Sequence, residues 1–267
     1  MIIINKNADF SGCGLGKITF KVSKEVNELL DSLYDNLELR YKLVFQQFID
    51  EIGGLNGEIF SSLYRLVIPA FANSAKECFT DVVTRKVFSS GGGTYDKYAE
   101  NIETNRGVGA KYDLVNGTNI LNFNSIHNFE GSILRGIIFD SATANVPLIN
   151  AGMSPMYNHA CQLIKEGNSS YYNIAVAKVA KNVAIYNIAE NNVFTFYDNA
   201  EYTKTPSDLD LNHFKSVNSN GVNYSMYNTT FNKITTAMYF LGKGLTLANG
   251  RILNDAVWNF SKNLKEL

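Results

Sequence analysis

Short apolar runs separated by turn-forming residues fill the chain from about Ile59 onward, and this alternation constrains the fold more than any other feature. About nine runs have the β-branched and aromatic content of strands, among them FTDVVTRKVF, SILRGIIFD, NVAIYNI, NVFTFYD and ITTAMYFLG. Clusters such as SSGGGTYDK, VNGTN and NSNG lie between them and are typical of turns. The pattern predicts a mainly β domain, a sandwich or jelly roll, over residues 55–267.

Residues 24–52 predict one long amphipathic helix before the β region. Ser23 is a good N-cap, and Gly53 and Gly54 end the pattern as glycines after a helix do. Apolar residues recur at steps of three and four, which is the a/d pattern of a coiled coil. These seam residues are Val26, Leu30, Leu33, Leu37, Val44 and Phe48.

The seam can be buried in two ways, against the chain's own domain or against the same helix in other copies. We favour the second, because the helix stands at one end of the sequence and a glycine pair separates it from the β region. Residues 23–54 are therefore predicted to be an oligomerisation helix, a coiled-coil stalk that holds a dimer or trimer together through the seam.

Two further segments are predicted, one before the long helix and one at the end of the β region. Residues 1–22 contain Ile2–Ile4, a glycine-rich tract and a short strand-like end, and they predict an N-terminal anchoring arm. Near the C-terminus, apolar residues from Ile252 to Leu264 recur at helical spacing. This predicts a short closing helix with Asn249 as its cap and Trp258 near its middle.

Composition excludes several functional classes. A net charge of −1 argues against nucleic-acid binding, which needs an excess of lysine and arginine. No apolar window is long enough to cross a membrane, and the first residues do not read as a signal peptide. The three cysteines are widely separated and odd in number, so they predict neither a disulfide framework nor a zinc site. We therefore expect the protein to fold in reducing cytoplasm.

The sequence does not match the known catalytic motifs that it partly resembles. Gly12–Lys17 lacks the glycine and the hydroxyl residue of a phosphate-binding loop and the third glycine of a dinucleotide fingerprint. The histidines, His127, His159 and His213, form no metal-binding pair. The pair Asp208 and Asp210 predicts a solvated turn. We therefore predict no catalytic residues, no metal site and no cofactor.

Tyrosines in or beside asparagine-rich segments are candidate sugar-binding residues. An aromatic face can pack on the C–H face of a sugar while amides bond its hydroxyls. The candidates are Tyr171, Tyr172, Tyr224 and Tyr227. The alternative interpretation is that these tyrosines are half-buried strand residues in the core.

The opening INKNADFSGCGLGKI resembles the N-terminal motif of structural proteins from tailed phages of gut bacteria, including crAss-like phages. The segments LYRLVIPAF and MYFLGKGLTLANGRILNDAVWNFSKNL resemble the first strands and the closing segment of a concanavalin A-like (laminin G-like) jelly roll. The resemblance implies a head-fibre or tail-appendage subunit, with the arm and helix on the virion side and the jelly roll outward. It implies no catalytic residues.

These observations favour a non-enzymatic virion structural protein. We expect it to be assembled in the bacterial cytoplasm, to bind itself as a dimer or trimer, and to contact other virion proteins through the arm. Adhesion to host surface polysaccharide would be a secondary role. The alternatives are a carbohydrate-binding module, suggested by the tyrosines, and a polysaccharide-degrading enzyme, because jelly rolls also carry such enzymes.

Overall fold

The structure is a computed structural model of the whole chain. The residues it describes are 21–87, 102–112, 121–125, 132–140, 148–151, 162–164, 171–173, 182–190, 192–204, 222–227 and 235–267. Among them, no helix is both long and apolar enough to cross a membrane.

The described helices lie at the two ends of the chain. They are α1 (Lys24–Asp31), α2 (Leu39–Glu51), α3 (Glu58–Ser61) and α4 (Leu247–Lys265). Two 3-10 turns follow the first strand, at Pro69–Phe71 and Glu77–Phe79.

Antiparallel strands make up most of the remaining described residues. They are β1 (Leu63–Val67), β2 (Thr80–Asp81), β3 (Lys86–Val87), β4 (Ile102–Asn105), β5 (Gly109–Tyr112), β6 (Leu121–Ser125), β7 (Ile133–Asp140), β8 (Leu148–Ala151), β9 (Gln162–Ile164), β10 (Tyr171–Asn173), β11 (Val183–Ala189), β12 (Asn192–Tyr197), β13 (Ala200–Lys204), β14 (Val222–Tyr227) and β15 (Thr235–Gly242).

One large sheet organises the molecule. Its order is β13-β12-β11-β7-β15-β1-β2-β3, with β5 paired to β15 and β4 paired to β5. Two smaller sheets have the orders β6-β14-β8 and β10-β9. Every pairing between described strands is antiparallel, which confirms the mainly β prediction at the level of an antiparallel β protein with a closing helix.

The predicted helix over 24–52 is wrong in one respect, because it is two helices joined by a bent linker. After α1 ends at Asp31, Asn36 adopts a left-handed conformation with φ of 51°. Asparagine tolerates that conformation better than most residues. The chain then restarts as α2 at Leu39, and the Ser23 amide donates to Gln46 Oε1 at 2.8 Å, so α1 folds back along α2.

The seam residues are also not displayed to a second copy. All but Leu33 are buried in this single chain, where they join the core between the helices and the large sheet, and Leu33 packs against that core. Such a seam would have to be exposed in the separated chain to form a coiled coil. The structure therefore corrects the predicted stalk to a helical layer of the same hydrophobic core.

Aromatic side chains join the helices to one another and to the 3-10 turn that follows β1. Phe48 of α2 meets Phe260 of α4 edge-on, with ring centroids 5.7 Å apart. Phe71 lies against Phe260 at 5.9 Å and edge-on against Tyr34 of the linker at 5.7 Å. Amide side chains of α4 also reach α2, with Asn263 Nδ2 donating to Gln47 Oε1 at 2.9 Å.

The closing helix is longer than the sequence pattern predicts. It begins at Leu247 instead of just after Asn249, and its N-cap is Thr246, whose side chain accepts from the Asn249 amide at 3.3 Å. Asn249 is thus inside the first turn and is not the cap. Trp258 lies near the middle of the helix, as predicted.

A close approach in the large sheet requires a glycine at position 136. Gly136 of β7 pairs with Phe240 of β15, and a Cβ at position 136 would lie 2.0 Å from the Phe240 ring. We expect Gly136→Ala to lower the free energy of unfolding by about 2 kcal/mol, because the ring must leave its position in a packed core. Urea denaturation measures this loss.

A double substitution checks that the ring causes the loss. In Gly136→Ala/Phe240→Leu the smaller side chain leaves room for the new methyl group. The double variant should therefore lose less stability than the sum of the two single losses. Additive losses would contradict the predicted contact.

Candidate functional site

A groove of about 650 Å³ lies on the helical side of the molecule. Its walls are α1, the C-terminal half of α2, the turn over residues 53–56 and the turn that follows β2. The lining residues come from three stretches of the sequence, 23–32, 46–60 and 82–85. Its volume is within the range of roughly 300–1,000 Å³ that is usual for ligand sites.

The floor of the groove is apolar. Val26, Leu29 and Ile49 form its buried part. Leu55 and Phe60 are partly exposed and pack on the edge of the core. An open surface of this kind suits apolar side chains of a ligand.

Charged side chains surround this floor. Glu25, Glu28 and Asp50 are exposed carboxylates among the lining residues, and Arg85 is the exposed cation among them. These four side chains carry a formal charge of −2. Lys24 faces Glu28 at 3.7 Å, but both side chains are mostly exposed, so water screens this pair and leaves the rim acidic.

Glycines keep one end of the groove open. Gly53 and Gly54 have φ of 91° and 93°, and a Cβ on either would meet nothing within 4 Å. The Gly54 amide donates to the Ile49 carbonyl at 2.8 Å and closes α2 in the manner of a glycine cap. The predicted end of the helix at this pair is therefore also the rim of the groove.

A buried carboxylate fixes the opposite wall. Asp81 accepts hydrogen bonds from the Leu66 amide at 3.0 Å, the Val83 amide at 3.1 Å and the Thr84 hydroxyl at 2.5 Å. Arg65 Nη1 donates at 3.0 Å to Asp81 Oδ2, the oxygen that also accepts from Thr84, whereas the two amides donate to Oδ1. These bonds hold the backbone of the turn over residues 82–85, which carries Val83 and Arg85, beside the groove.

Cys78 is the cysteine in the described part of the chain, and it is fully buried next to the large sheet. Burial, together with the neighbouring Glu77 carboxylate, raises the pKa of the Cys78 thiol to about 12. The thiolate is the reactive form, so this thiol is inert at neutral pH.

Metal ligands do not gather in the described residues, where no three His, Cys, Asp or Glu side chains could hold an ion together. The other chemistry-bearing residues of the sequence analysis, Cys13, Cys161, Asp208, Asp210 and the three histidines, lie outside the described residues. Their roles stay predictions.

The four candidate tyrosines fall on two different small sheets. Tyr171 and Tyr172 begin β10, which pairs with β9. Tyr224 and Tyr227 belong to β14, between β6 and β8. Strand pairing does not join these two sheets in the described residues, and the tyrosine side chains lie outside the description. Glycan binding by these residues stays a prediction.

Sequence reasoning did not find the groove. Glu25 and Glu28 lie off the apolar seam of the sequence, and no sequence signal links Asp50 or Arg85 to them. The glycine pair was the available clue, because two glycines after a helix leave space that side chains would otherwise fill.

Comparisons with known proteins identify no family. No protein-family model matches the sequence, and no curated protein matches it. Among solved structures, Trypanosoma rangeli sialidase in complex with sialic acid is similar with a TM-score of 0.42 and 10% identity over 80% of this chain. The same sialidase in complex with the inhibitor DANA gives a TM-score of 0.42 and 12% identity.

These sialidase structures are distant. In both complexes the match covers 38% of the sialidase chain, so this chain spans less than two fifths of that protein's length. A mutant of the sialidase with trans-sialidase activity gives a TM-score of 0.37 over 91% of this chain and 39% of its own. TM-scores at this level carry no inference about the function of this chain.

Proposed function

We propose that this chain is a non-enzymatic structural subunit of a tailed-phage virion, a homo-oligomeric head-fibre or tail-appendage protein with a concanavalin A-like jelly-roll domain. The observation that carries the proposal is the groove, whose apolar floor and acidic rim suit a segment of polypeptide. The resemblance of INKNADFSGCGLGKI to the N-terminal motif of phage structural proteins supports the virion assignment.

Burial of the helical seam changes how an oligomer would form. With Val26, Leu30 and Phe48 inside the core, copies cannot join through a coiled coil without unfolding it. The groove remains open on the surface of the same helices. An assembly function would therefore use the groove and the N-terminal arm, and it would leave the hydrophobic core intact.

Light scattering after gel filtration tests the assembly function on the full chain. We expect a mass two or three times the 29.7 kDa of one chain, and a dependence on protein concentration that reports the association constant. A mass of one chain at every concentration up to about 100 µM, a level well above ordinary interface affinities, would overturn the homo-oligomeric proposal.

An assay of polysaccharide turnover separates this proposal from an enzyme. The full chain is incubated with capsular polysaccharides of gut bacteria, and new reducing ends are counted. We expect no turnover above a heat-denatured sample. Release of reducing ends that scales with protein concentration would overturn the non-enzymatic part of the proposal, whatever the oligomeric state.

A further inference from the structure

The groove lies where residues 1–20 join the described part of the chain. Ser23 at the start of α1 lines the groove, and its amide donates to Gln46, another lining residue, at 2.8 Å. Twenty residues precede Lys21, the first described residue. At about 3.3 Å for each extended residue, they can span up to roughly 66 Å, which is enough to reach a neighbouring molecule.

The arm offers chemistry that matches the groove. Ile2–Ile4 are three consecutive β-branched apolar residues, and Lys6 is the charged residue of the segment Ile2–Asn7. The floor of the groove is apolar, and its rim carries the three carboxylates of Glu25, Glu28 and Asp50. A segment with apolar side chains followed by one cation satisfies both features.

We propose that the groove binds segment Ile2–Asn7 of a second copy of this chain. The isoleucines lie on the floor formed by Val26, Leu29 and Phe60, and the Lys6 ammonium lies beside the carboxylates of the rim. The inference rests on the proposed function, and it names the partner surface of that assembly. Exchange between two copies fills both grooves and closes a symmetric dimer, which is a low-cost route to association.

Disulfide trapping in the full chain tests this arrangement. Cys13→Ser and Cys161→Ser remove two native thiols, whereas the buried Cys78 is left in place. One copy then carries Ile3→Cys. A second copy, made larger by a fused tag, carries Val83→Cys in the groove wall. The matched control places the cysteine at Thr203→Cys, an exposed position on β13 away from the groove.

After co-expression and mild oxidation, we expect a cross-linked species of mixed size with Val83→Cys, at least about ten times more abundant than with Thr203→Cys. This ratio corresponds to about 1.4 kcal/mol of preference. Equal cross-linking at the two positions would overturn the assignment. A cross-link that forms only within one chain carrying both Ile3→Cys and Val83→Cys would overturn the exchange between copies.

A charge swap gives a second measurement that needs no cysteine. Lys6→Glu places a carboxylate against the acidic rim, so we expect the dissociation constant of the oligomer to rise at least about 5-fold. Adding Glu28→Lys to that variant should recover most of the affinity. A rise in the dissociation constant without recovery, or no rise, counts against contact between Lys6 and the rim.

The outcomes separate this inference from the proposed function. An oligomer by light scattering that shows neither the cross-link nor the charge effect overturns the groove assignment and leaves the assembly function standing. A single-chain mass at every concentration overturns the assembly function itself.

Discussion

Replacing Asn187 with leucine is expected to cost the protein about 2–6 kcal/mol of its free energy of unfolding. Asn187 lies within β11 and is fully buried. Its Nδ2 donates to the Leu245 carbonyl at 2.8 Å, and its Oδ1 accepts from the Leu245 amide at 2.8 Å. One side chain therefore satisfies both backbone groups of the residue that leads into α4.

Leucine has nearly the same shape but can form neither bond. The Leu245 amide and carbonyl would then be buried without partners, and each such group costs about 1–3 kcal/mol. Neighbouring contacts leave little room for a water molecule to replace the amide. A Cβ on Gly250 of α4 would lie 3.0 Å from Asn187 Nδ2, and one on Gly244 would lie 2.0 Å from the Ile188 carbonyl oxygen.

Urea denaturation followed by circular dichroism measures the effect. The midpoint should fall while the dependence on urea stays the same, because the surface exposed on unfolding is unchanged. The matched control is Asn192→Leu in β12, where the amide donates to the exposed Glu190 carbonyl at 2.9 Å. Equal losses in the two variants would mean that the paired bonds to Leu245 contribute no more to the free energy of unfolding than one exposed bond.

The strand pattern predicted the large sheet well, because its strands are buried runs of apolar residues between clear turns. The run NVAIYNI became β11, NVFTFYD became β12 and SILRGIIFD became β7. Period and composition are local properties of these segments, so the sequence alone displays them. The burial of Asn187 inside β11 was not visible, since its partner Leu245 is distant in the sequence.

Local composition misled where a distant contact decides the structure. The run FTDVVTRKVF predicts one strand, but it forms the short strands β2 and β3 with a tight turn between them. Asp81 draws that turn around its carboxylate, and two of its four donors, Arg65 and the Leu66 amide, come from β1. The local composition therefore predicts a single strand for a segment that is folded back on itself.

The long helix was predicted wrongly and the groove was not predicted at all, for related reasons. An apolar seam at heptad spacing looks the same whether it faces its own sheet or another copy, so the sequence could not choose between these partners. The break after Asp31 depends on Asn36 in a left-handed conformation and on contacts from the turn after β4. The groove depends on the same bend, because it exists only when α1 lies back along α2.

Arg106 holds that bend in place. Its side chain, 14% exposed, lies in the turn between β4 and β5. Nη1 donates to the Asn36 carbonyl at 2.9 Å, Nη2 donates to the Asp35 carbonyl at 2.7 Å, and Nε donates to the Phe71 carbonyl at 3.1 Å. Nη2 also lies 3.7 Å from Oε2 of Glu77.

Glu77 completes the connection from the other side. It is 5% exposed, and its two carboxylate oxygens accept from the Asp35 amide at 3.0 Å and the Asn73 amide at 2.6 Å. The linker between α1 and α2 is thus bonded to both members of this ion pair. Removing the arginine leaves the carboxylate buried without its cation.

We therefore expect Arg106→Ala to lower the free energy of unfolding by about 3–5 kcal/mol, the range for breaking a buried ion pair on one side. Arg106→Lys should fall between that variant and the native chain, because an ammonium keeps the charge near Glu77 but cannot donate to three carbonyls in the plane of a guanidinium. Urea denaturation of the three proteins gives the ranking.

The control is Arg251→Lys on α4, where the guanidinium donates to both carboxylate oxygens of Glu201 at 2.6 and 3.0 Å but is exposed to water. Water replaces those bonds, so its midpoint should equal that of the native chain within error. If Arg106→Lys is as stable as Arg251→Lys, the carbonyl bonds do not hold the linker.

Because the linker sets the angle between α1 and α2, Arg106→Ala should also reduce cross-linking between Ile3→Cys and Val83→Cys under conditions where the variant is still folded. This loss connects the stability of the bend to the groove that it forms.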